Sequence, residues 1–298
     1  MSLSHPRILL QFDSDEHASV FDAVVAVDSG VEHLLQYASV EPVDVEGLVH
    51  GAMFTRGPDQ LKNTAIFVGG SDVGHGERIA ECIKETFFGP VKVSVMLDSN
   101  GSNTTAAAAV LCARRHLELS QAKALVPGGT GPVGRRVARL LLAQGAQVVI
   151  TSRDARRAQS ACSEILANVP DQYHQHLSAM GVAGETELRS ALDGCNLLVS
   201  CGAAGAQLVS GSALQASELK VAIDLNAVAP AGIEGISVMD KAVKRGDRID
   251  YGAIGTGGLK MKIHRESIRT LFTSNDLFLD AEQIFAIGLN LEEATELS

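Results

Sequence analysis

Apolar runs of strand length alternate with longer stretches of helical periodicity along almost the whole chain, the pattern of an α/β protein with a largely parallel sheet. Strands are predicted over Arg7–Phe12, Thr64–Val68, Val91–Leu97, Lys123–Val126, Gln147–Thr151, Leu197–Ser200 and Val221–Leu225. Helices are predicted over Ser19–Val27, Gly76–Phe87, Asn103–Leu119, Gly131–Gln144, Ala155–Leu166 and Glu185–Leu192. The polar stretch Asp98-Ser99-Asn100-Gly101-Ser102-Asn103-Thr104-Thr105 holds several capping residues and leads into the alanine run Ala106–Ala109. The short segment Ser120-Gln121-Ala122 is the expected boundary between a first α/β domain over 1–119 and a second over 120–273. The last stretch, 274–298, carries Leu277, Phe278, Ile284 and Phe285 and is expected to fold back onto the first domain.

Length supports two domains, because 298 residues are about twice a typical single domain. With 46 % hydrophobic and 20 % charged residues, the composition is globular rather than disordered. The formal net charge of −10, with no long run of Lys or Arg, argues against a nucleic-acid partner. Apolar runs such as Ala106 to Ala113 end well short of the roughly 20 residues a membrane span needs. The start, Met1-Ser2-Leu3-Ser4-His5-Pro6-Arg7, has no export pattern, so the cytoplasm is the expected compartment. Cys82, Cys112, Cys162, Cys195 and Cys201 lack Cys-x-x-Cys or zinc-finger spacing, so reduced packing residues are expected, with no metal site.

The strongest local signal is Gly129-Thr130-Gly131-Pro132-Val133-Gly134, set between the apolar run Ala124-Leu125-Val126 and the helical stretch from Arg135 to Leu142. A G-x-G-x-x-G string in that strand-turn-helix context is a dinucleotide fingerprint. Gly129 allows the tight turn, Gly131 the close approach of a pyrophosphate, and Gly134 the packing of helix on sheet. The phosphates meet a helix N-terminus, whose amides and dipole favour anions. The second domain is therefore expected to be of Rossmann type. At the end of the next strand, where NAD enzymes usually place an acid for the ribose 2′-hydroxyl, stands Thr151, followed by Ser152-Arg153-Asp154-Ala155-Arg156-Arg157. Ser152, Arg153 and Arg157 suit a 2′-phosphate, because a guanidinium donates a planar pair of charge-assisted hydrogen bonds. NADP is the expected cofactor, with NAD also open. Gly202 and Ala203, after the strand Leu197–Ser200, and Asn226, after the strand Val221–Leu225, are candidates for the nicotinamide side. A simple tight turn and a helix cap account for these segments as well.

Phe12-Asp13-Ser14-Asp15, Ala65-Ile66-Phe67-Val68-Gly69-Gly70, Phe87-Phe88-Gly89-Pro90, Met96-Leu97 with Asp98 to Ala108, the glycine turn, and Gly257-Gly258-Leu259-Lys260-Met261-Lys262-Ile263-His264-Arg265 form a further set of signals. Together these stretches resemble the bacterial methylene-tetrahydromethanopterin dehydrogenases of methylotrophs. The resemblance implies a pterin-binding first domain, an NADP-binding second domain and a substrate cleft between them. It implies oxidation of 5,10-methylene-tetrahydromethanopterin to the methenyl form in formaldehyde oxidation, with Lys260 reaching the substrate. The chemistry needs no base. Removing a hydride from an N–CH2–N carbon leaves a cation shared by two nitrogens, so the site supplies alignment and an environment for positive charge. Asp13, Asp98, Asn100, Ser102, Asn103 and Thr104 are the candidate substrate residues, although each residue from Asp98 to Thr105 equally reads as a helix cap and Asp13 as a turn residue. Ile254-Gly255-Thr256-Gly257-Gly258 reads as a glycine-rich approach to the helix carrying Lys260.

Three other readings stand beside this one: a methylene-tetrahydrofolate dehydrogenase, a shikimate-dehydrogenase-like enzyme, and a non-catalytic NADP-binding sensor on the same fold. The shikimate-like reading lacks a convincing Lys and Asp pair in the first domain. A homo-oligomer is expected, with the apolar C-terminal segment contributing to the subunit contact.

Overall fold

The computed structural model describes residues 5–296. Met1–Ser4 of the stretch read for an export pattern, and residues 297–298 of the expected C-terminal segment, lie outside the described residues. In chain order the first elements are β1 (Ile8–Phe12), α1 (Val20–Asp28), β2 (His33–Tyr37), α2 (Pro42–Met53), β3 (Thr64–Val68), α3 (Val73–Thr86), β4 (Ser94–Leu97) and α4 (Ser102–Arg114). Next come β5 (Lys123–Pro127), α5 (Pro132–Ala143), β6 (Gln147–Ser152), α6 (Ala155–Leu166), β7 (Leu177–Gly181), α7 (Glu185–Leu192) and β8 (Leu197–Ser200). The chain closes with α8 (Gly211–Gln215), β9 (Val221–Asp224), β10 (Val243–Arg245), β11 (Arg248–Tyr251), α9 (Ala253–Thr270), β12 (Phe278–Leu279) and α10 (Ala281–Glu296). Among the described residues no helix is long and apolar enough to cross a membrane.

The chain forms two compact units. One comprises residues up to Thr104 together with those from Met261 onward, and the other runs Thr105–Lys260, so both passages between them lie inside helices, α4 and α9. The first unit holds a parallel sheet in the order β12-β4-β3-β1-β2. Its core joins Phe12, Val45, Val49, Met53, Ile66, Ile79, Ile83 and Val95. The second unit holds a sheet in the order β10-β11-β9-β8-β5-β6-β7, parallel except for the β10–β11 pair. Part of its core gathers Leu125, Leu192, Leu198, Leu214, Ala222 and Ile233.

Burial explains which strands the hydrophobic pattern reveals. β3, β4, β8 and β9 are buried along their whole length, because parallel strands are covered on both faces and read as unbroken apolar runs. β2 and β7 sit at sheet edges with mixed exposure, and neither was anticipated. Helix starts follow their caps: Ser19 Oγ accepts from Asp22 N at 3.2 Å, Asp72 from His75 N at 2.9 Å, and Asp154 from Arg156 N at 2.8 Å.

Three sequence expectations change. The strand expected over Val91–Leu97 begins only at Ser94, since Phe88 and Val91 close an isolated bridge across a turn. The helix expected to reach Leu119 stops at Arg114, and Leu119–Gln121 forms a 3-10 turn. The glycine-rich approach Ile254–Gly258 is itself the start of α9. Glycine is needed there for proximity, because a Cβ on Gly255 would overlap the Asp240 carbonyl.

Candidate functional site

In the second unit, β7-β6-β5-β8-β9-β11 reproduces the doubly wound 3-2-1-4-5-6 order, which reverses between β5 and β8. Dinucleotides lie across the carboxyl ends of the strands at such a reversal. The turn from Gly128 to Gly134 fills that position. A Cβ on Gly129 would lie 2.7 Å from Ile150 Cβ, and one on Gly134 would lie 2.6 Å from Gly129 Cα. Gly128 has a φ of +73°, and its Cβ would meet the Cys201 and Gly202 backbone at 2.7 Å. Backbone lies against backbone here, with Cys201 N donating to Pro127 O at 2.8 Å, so the β5 and β8 turns form one surface.

Pro132 takes the first position of α5, where its missing N–H costs nothing, and Gly131 precedes it with no side-chain cap. The first-turn amides at Val133 and Gly134 therefore meet no capping side chain. Thr130 contributes its carbonyl to Arg135 Nε at 3.0 Å. The arrangement fits a pyrophosphate, since the cradle is closed to any Cβ at Gly129 and Gly134 and the turn from Gly128 to Arg135 contains no acid.

At the end of β6, Ser152 Oγ accepts from Asp154 N at 3.3 Å and Asp154 caps α6, which makes that acid structural. Arg153, Arg156 and Arg157 are exposed beside it. On the far side of the reversal, Gly202 packs against Leu208, where a Cβ would come within 2.6 Å, and Ala203 is exposed. Asn226 is buried and braces its own loop. Its Nδ2 donates to Pro230 O at 2.9 Å, while its Oδ1 accepts from Val228 N at 3.0 Å and Gly205 N at 3.4 Å, tying the β8 and β9 turns together.

Sequence reasoning missed Asp224. This carboxyl, buried at the end of β9, accepts from Asn226 N at 3.1 Å and Ile233 N at 3.0 Å. Burial raises its pKa, against the pull of backbone hydrogen bonds from Ile233, Asn226 and Gly232. Burial first and Asp224 second push the Cys201 thiol up, which favours its protonated form. The available signal was an acid closing the apolar run Val221-Ala222-Ile223.

In the first unit, the carboxyl ends of β4, β3 and β1 bring together Asp98–Thr104, Gly69–Ser71 and Asp13–Asp15. Most of the expected substrate residues face inward. Asp13 is wholly buried and accepts from Asp15 N at 3.0 Å, Ser19 N at 2.9 Å and Gln11 Nε2 at 3.4 Å. Asp98 caps α4, its Oδ1 accepting from Asn103 N at 2.8 Å and Thr104 N at 3.0 Å and its Oδ2 from Thr104 Oγ1 at 2.6 Å. Ser102 Oγ donates to Ser99 O at 2.8 Å, and Asn103 Nδ2 donates to Leu97 O and to Asp280 Oδ1 at 2.9 Å. Of the four candidates Asp98, Ser102, Asn103 and Thr104, Asp98 acts as the cap of α4, and Ser102, Asn103 and Thr104 hydrogen-bond within the same unit. Asn100 differs: it is exposed, with a left-handed φ of 53°. Lys260 is half-buried within α9.

Residues 20–100 match the family model described as methylene-tetrahydromethanopterin dehydrogenase, N-terminal, and residues 124–231 match the NAD dependent epimerase/dehydratase family. The chain is 42 % identical over 285 residues to the bifunctional protein MdtA of Methylorubrum extorquens, covering 95 % of this chain and 98 % of that one. It is 29 % identical over 286 residues to the NAD(P)-dependent methylenetetrahydromethanopterin dehydrogenase of the same species, covering 93 % and 95 %. The ligand-free 5-ketofructose reductase of Gluconobacter aligns over 96 % of this chain and 99 % of its own, with a TM-score of 0.51 at 12 % identity, a likeness of fold alone.

Proposed function

Because the chain belongs to the methylene-tetrahydromethanopterin dehydrogenase family, we propose that it transfers a hydride from 5,10-methylene-tetrahydromethanopterin to NADP, giving the methenyl form. The observation that carries this reading is the Rossmann reversal with its glycine turn in a chain whose N-terminal part matches the pterin-dehydrogenase model. The nicotinamide supplies the hydride acceptor.

The chain's own residues bind and align. Gly129, Thr130, Gly131, Pro132, Val133 and Gly134 hold the pyrophosphate through backbone amides, and Ser152, Arg153 and Arg157 hold the 2′-phosphate that selects NADP over NAD. Gly202, Ala203 and Asn226 shape the nicotinamide side, with Asp224 fastening the loop that Asn226 braces. On the substrate side, Asn100 offers an amide and Lys260 orients a polar edge of the pterin. Asp13, Asp98, Ser102, Asn103 and Thr104 hold the strand-end loops in shape. No side chain need remove a proton, since hydride loss by itself produces the delocalised cation. The residues 1–119 with 274–298 are proposed as the pterin part and 120–273 as the cofactor part, in a cytoplasmic homo-oligomer.

Purified protein mixed with NADP and 5,10-methylene-tetrahydromethanopterin is expected to generate reduced cofactor, read by absorbance. The tetrahydrofolate analogue forms the second arm. Absence of turnover with both pterins would overturn the assignment.

A further inference from the structure

We propose that Arg135 is a positioning residue of the glycine turn, oriented by Glu164, and that it sets how tightly the pyrophosphate common to NADP and NAD is held. The assignment rests on the proposed cofactor site and adds the group that keeps the turn in its anion-binding shape. Ser152, Arg153 and Arg157 discriminate between the two cofactors, whereas Arg135 acts on both alike.

The charges at the helix starts point the same way. The dipole and open amides of a first helical turn favour anions, so a cation placed there is unfavourable to the helix by itself. Among the described α-helices only α5 and α6 carry arginine in the first turn, Arg135 in one and Arg156 and Arg157 in the other, and neither has an acid there. α7, in the same unit, shows the opposite choice, with Glu185 and Glu187. α5 and α6 are the helices that leave β5 and β6 at the carboxyl edge of the sheet. Arginine in these two turns suits a site that a bound anion completes.

Geometry gives Arg135 its task. Its Nε donates to the Thr130 carbonyl at 3.0 Å, and the N–H of the same peptide, on Gly131, donates to Gly128 O at 3.0 Å. The Thr130–Gly131 peptide, in the middle of the turn, is therefore fixed at both ends. Its carbonyl oxygen, which would repel a phosphate, is engaged by a guanidinium. From there the chain enters α5 through Pro132, so the pinned peptide sets the direction of the Val133 and Gly134 amides. The other arm of the guanidinium, Nη1, meets Glu164 Oε2 on α6, while Glu164 Oε1 accepts from Ser160 Oγ at 3.1 Å. Both carboxylate oxygens are thus occupied, and the glycine turn is tied to the helix whose start carries the 2′-phosphate residues. Because the Arg135 and Glu164 side chains are 36 % and 52 % exposed, water screens their attraction, and the ion pair acts mainly by orienting the guanidinium. The charged hydrogen bond to the turn is the stronger part.

The test is calorimetric titration of the full chain with four ligands. They are NADP, NAD, ADP-ribose, which keeps the pyrophosphate without nicotinamide or 2′-phosphate, and adenosine 2′-monophosphate, which keeps the 2′-phosphate alone. Arg135→Ala is expected to weaken NADP, NAD and ADP-ribose by about tenfold each and to leave adenosine 2′-monophosphate within about twofold. Arg135→Lys, which can keep one of the two hydrogen bonds, is expected to recover part of the loss, and Glu164→Gln to cost about twofold to threefold in the same three ligands. In turnover, Arg135→Ala is expected to raise KM for both cofactors while pterin KM and kcat stay within about twofold. Unchanged ADP-ribose affinity in folded Arg135→Ala, or a loss confined to NADP, would overturn the assignment. Should Arg135→Ala not fold, Arg135→Lys carries the same reading, and unchanged ADP-ribose affinity again overturns it. A parent protein that binds neither NADP nor NAD would overturn the cofactor site and this assignment together. Absence of pterin turnover with NADP affinity intact would overturn the proposed reaction alone, and the titrations would still decide the role of Arg135.

Discussion

The strand-end edges of the two units are built in opposite ways. In the second unit the edge is made of backbone: glycines at 128, 129 and 134 leave no space for a Cβ, and the surface presents amides. In the first unit the edge is made of side chains, and most of their polar atoms turn inward to hold loops, as Asp13 and Asp98 do. A glycine cradle can be read from spacing because only one residue type meets its steric condition. A cluster of Asp, Ser, Asn and Thr has two uses, capping and binding, and composition alone does not separate them.

The sharpest way to break this contrast is Gly134→Val. Its side chain would push against Gly129 and Gly128 backbone, an overpacking of about 3 kcal/mol, so NADP affinity is expected to fall about 100-fold in a binding titration. Normal NADP affinity would mean the cradle is not closed. Asp98→Ala probes the other edge. Loss of the α4 cap is expected to cost about 2 kcal/mol in urea unfolding while pterin KM stays within about threefold. A large KM effect at unchanged stability would return Asp98 to the substrate. Arg153→Ala should raise KM for NADP about tenfold and leave NAD unaffected, the difference being the 2′-phosphate. An equal effect on both cofactors would remove the arginine from that role.

The smallest effect concerns Asp224. Burial holds its folded pKa above the ordinary carboxylate value, so the folded protein binds this proton more tightly than the unfolded chain. Its contribution to stability is therefore highest at acid pH and falls as pH rises from the ordinary value through the raised one. Asp224→Asn is expected to flatten that slope in unfolding midpoints measured from acid to neutral pH. An unaltered slope would assign the dependence elsewhere.

Legibility followed burial. The helices over 155–166 and 185–192 were read to the residue, because their apolar faces repeat at helical spacing against a sheet. α2 was missed since Gly47 and Gly51 dilute its pattern, and β12 since two residues carry no period. The passage through α9 hid in a glycine-rich stretch that resembles a loop and is helical because Gly252 and Gly255 pack against the segment from Ser237 to Lys241. The C-terminal segment meets the first sheet through pairing of β12 with β4 and through the Asn103–Asp280 hydrogen bond, contacts between distant parts of the chain.

By itself the sequence determined the alternating α/β order, the dinucleotide turn and the basic residues at the end of β6, all local conditions of steric fit, period and charge. Tertiary structure alone decided which carboxylates the fold itself occupies. Asp13 and Asp98 are held by amides that the fold brings to them. Whether an acid binds a ligand or its own backbone depends on which donors surround it, and folding sets that arrangement.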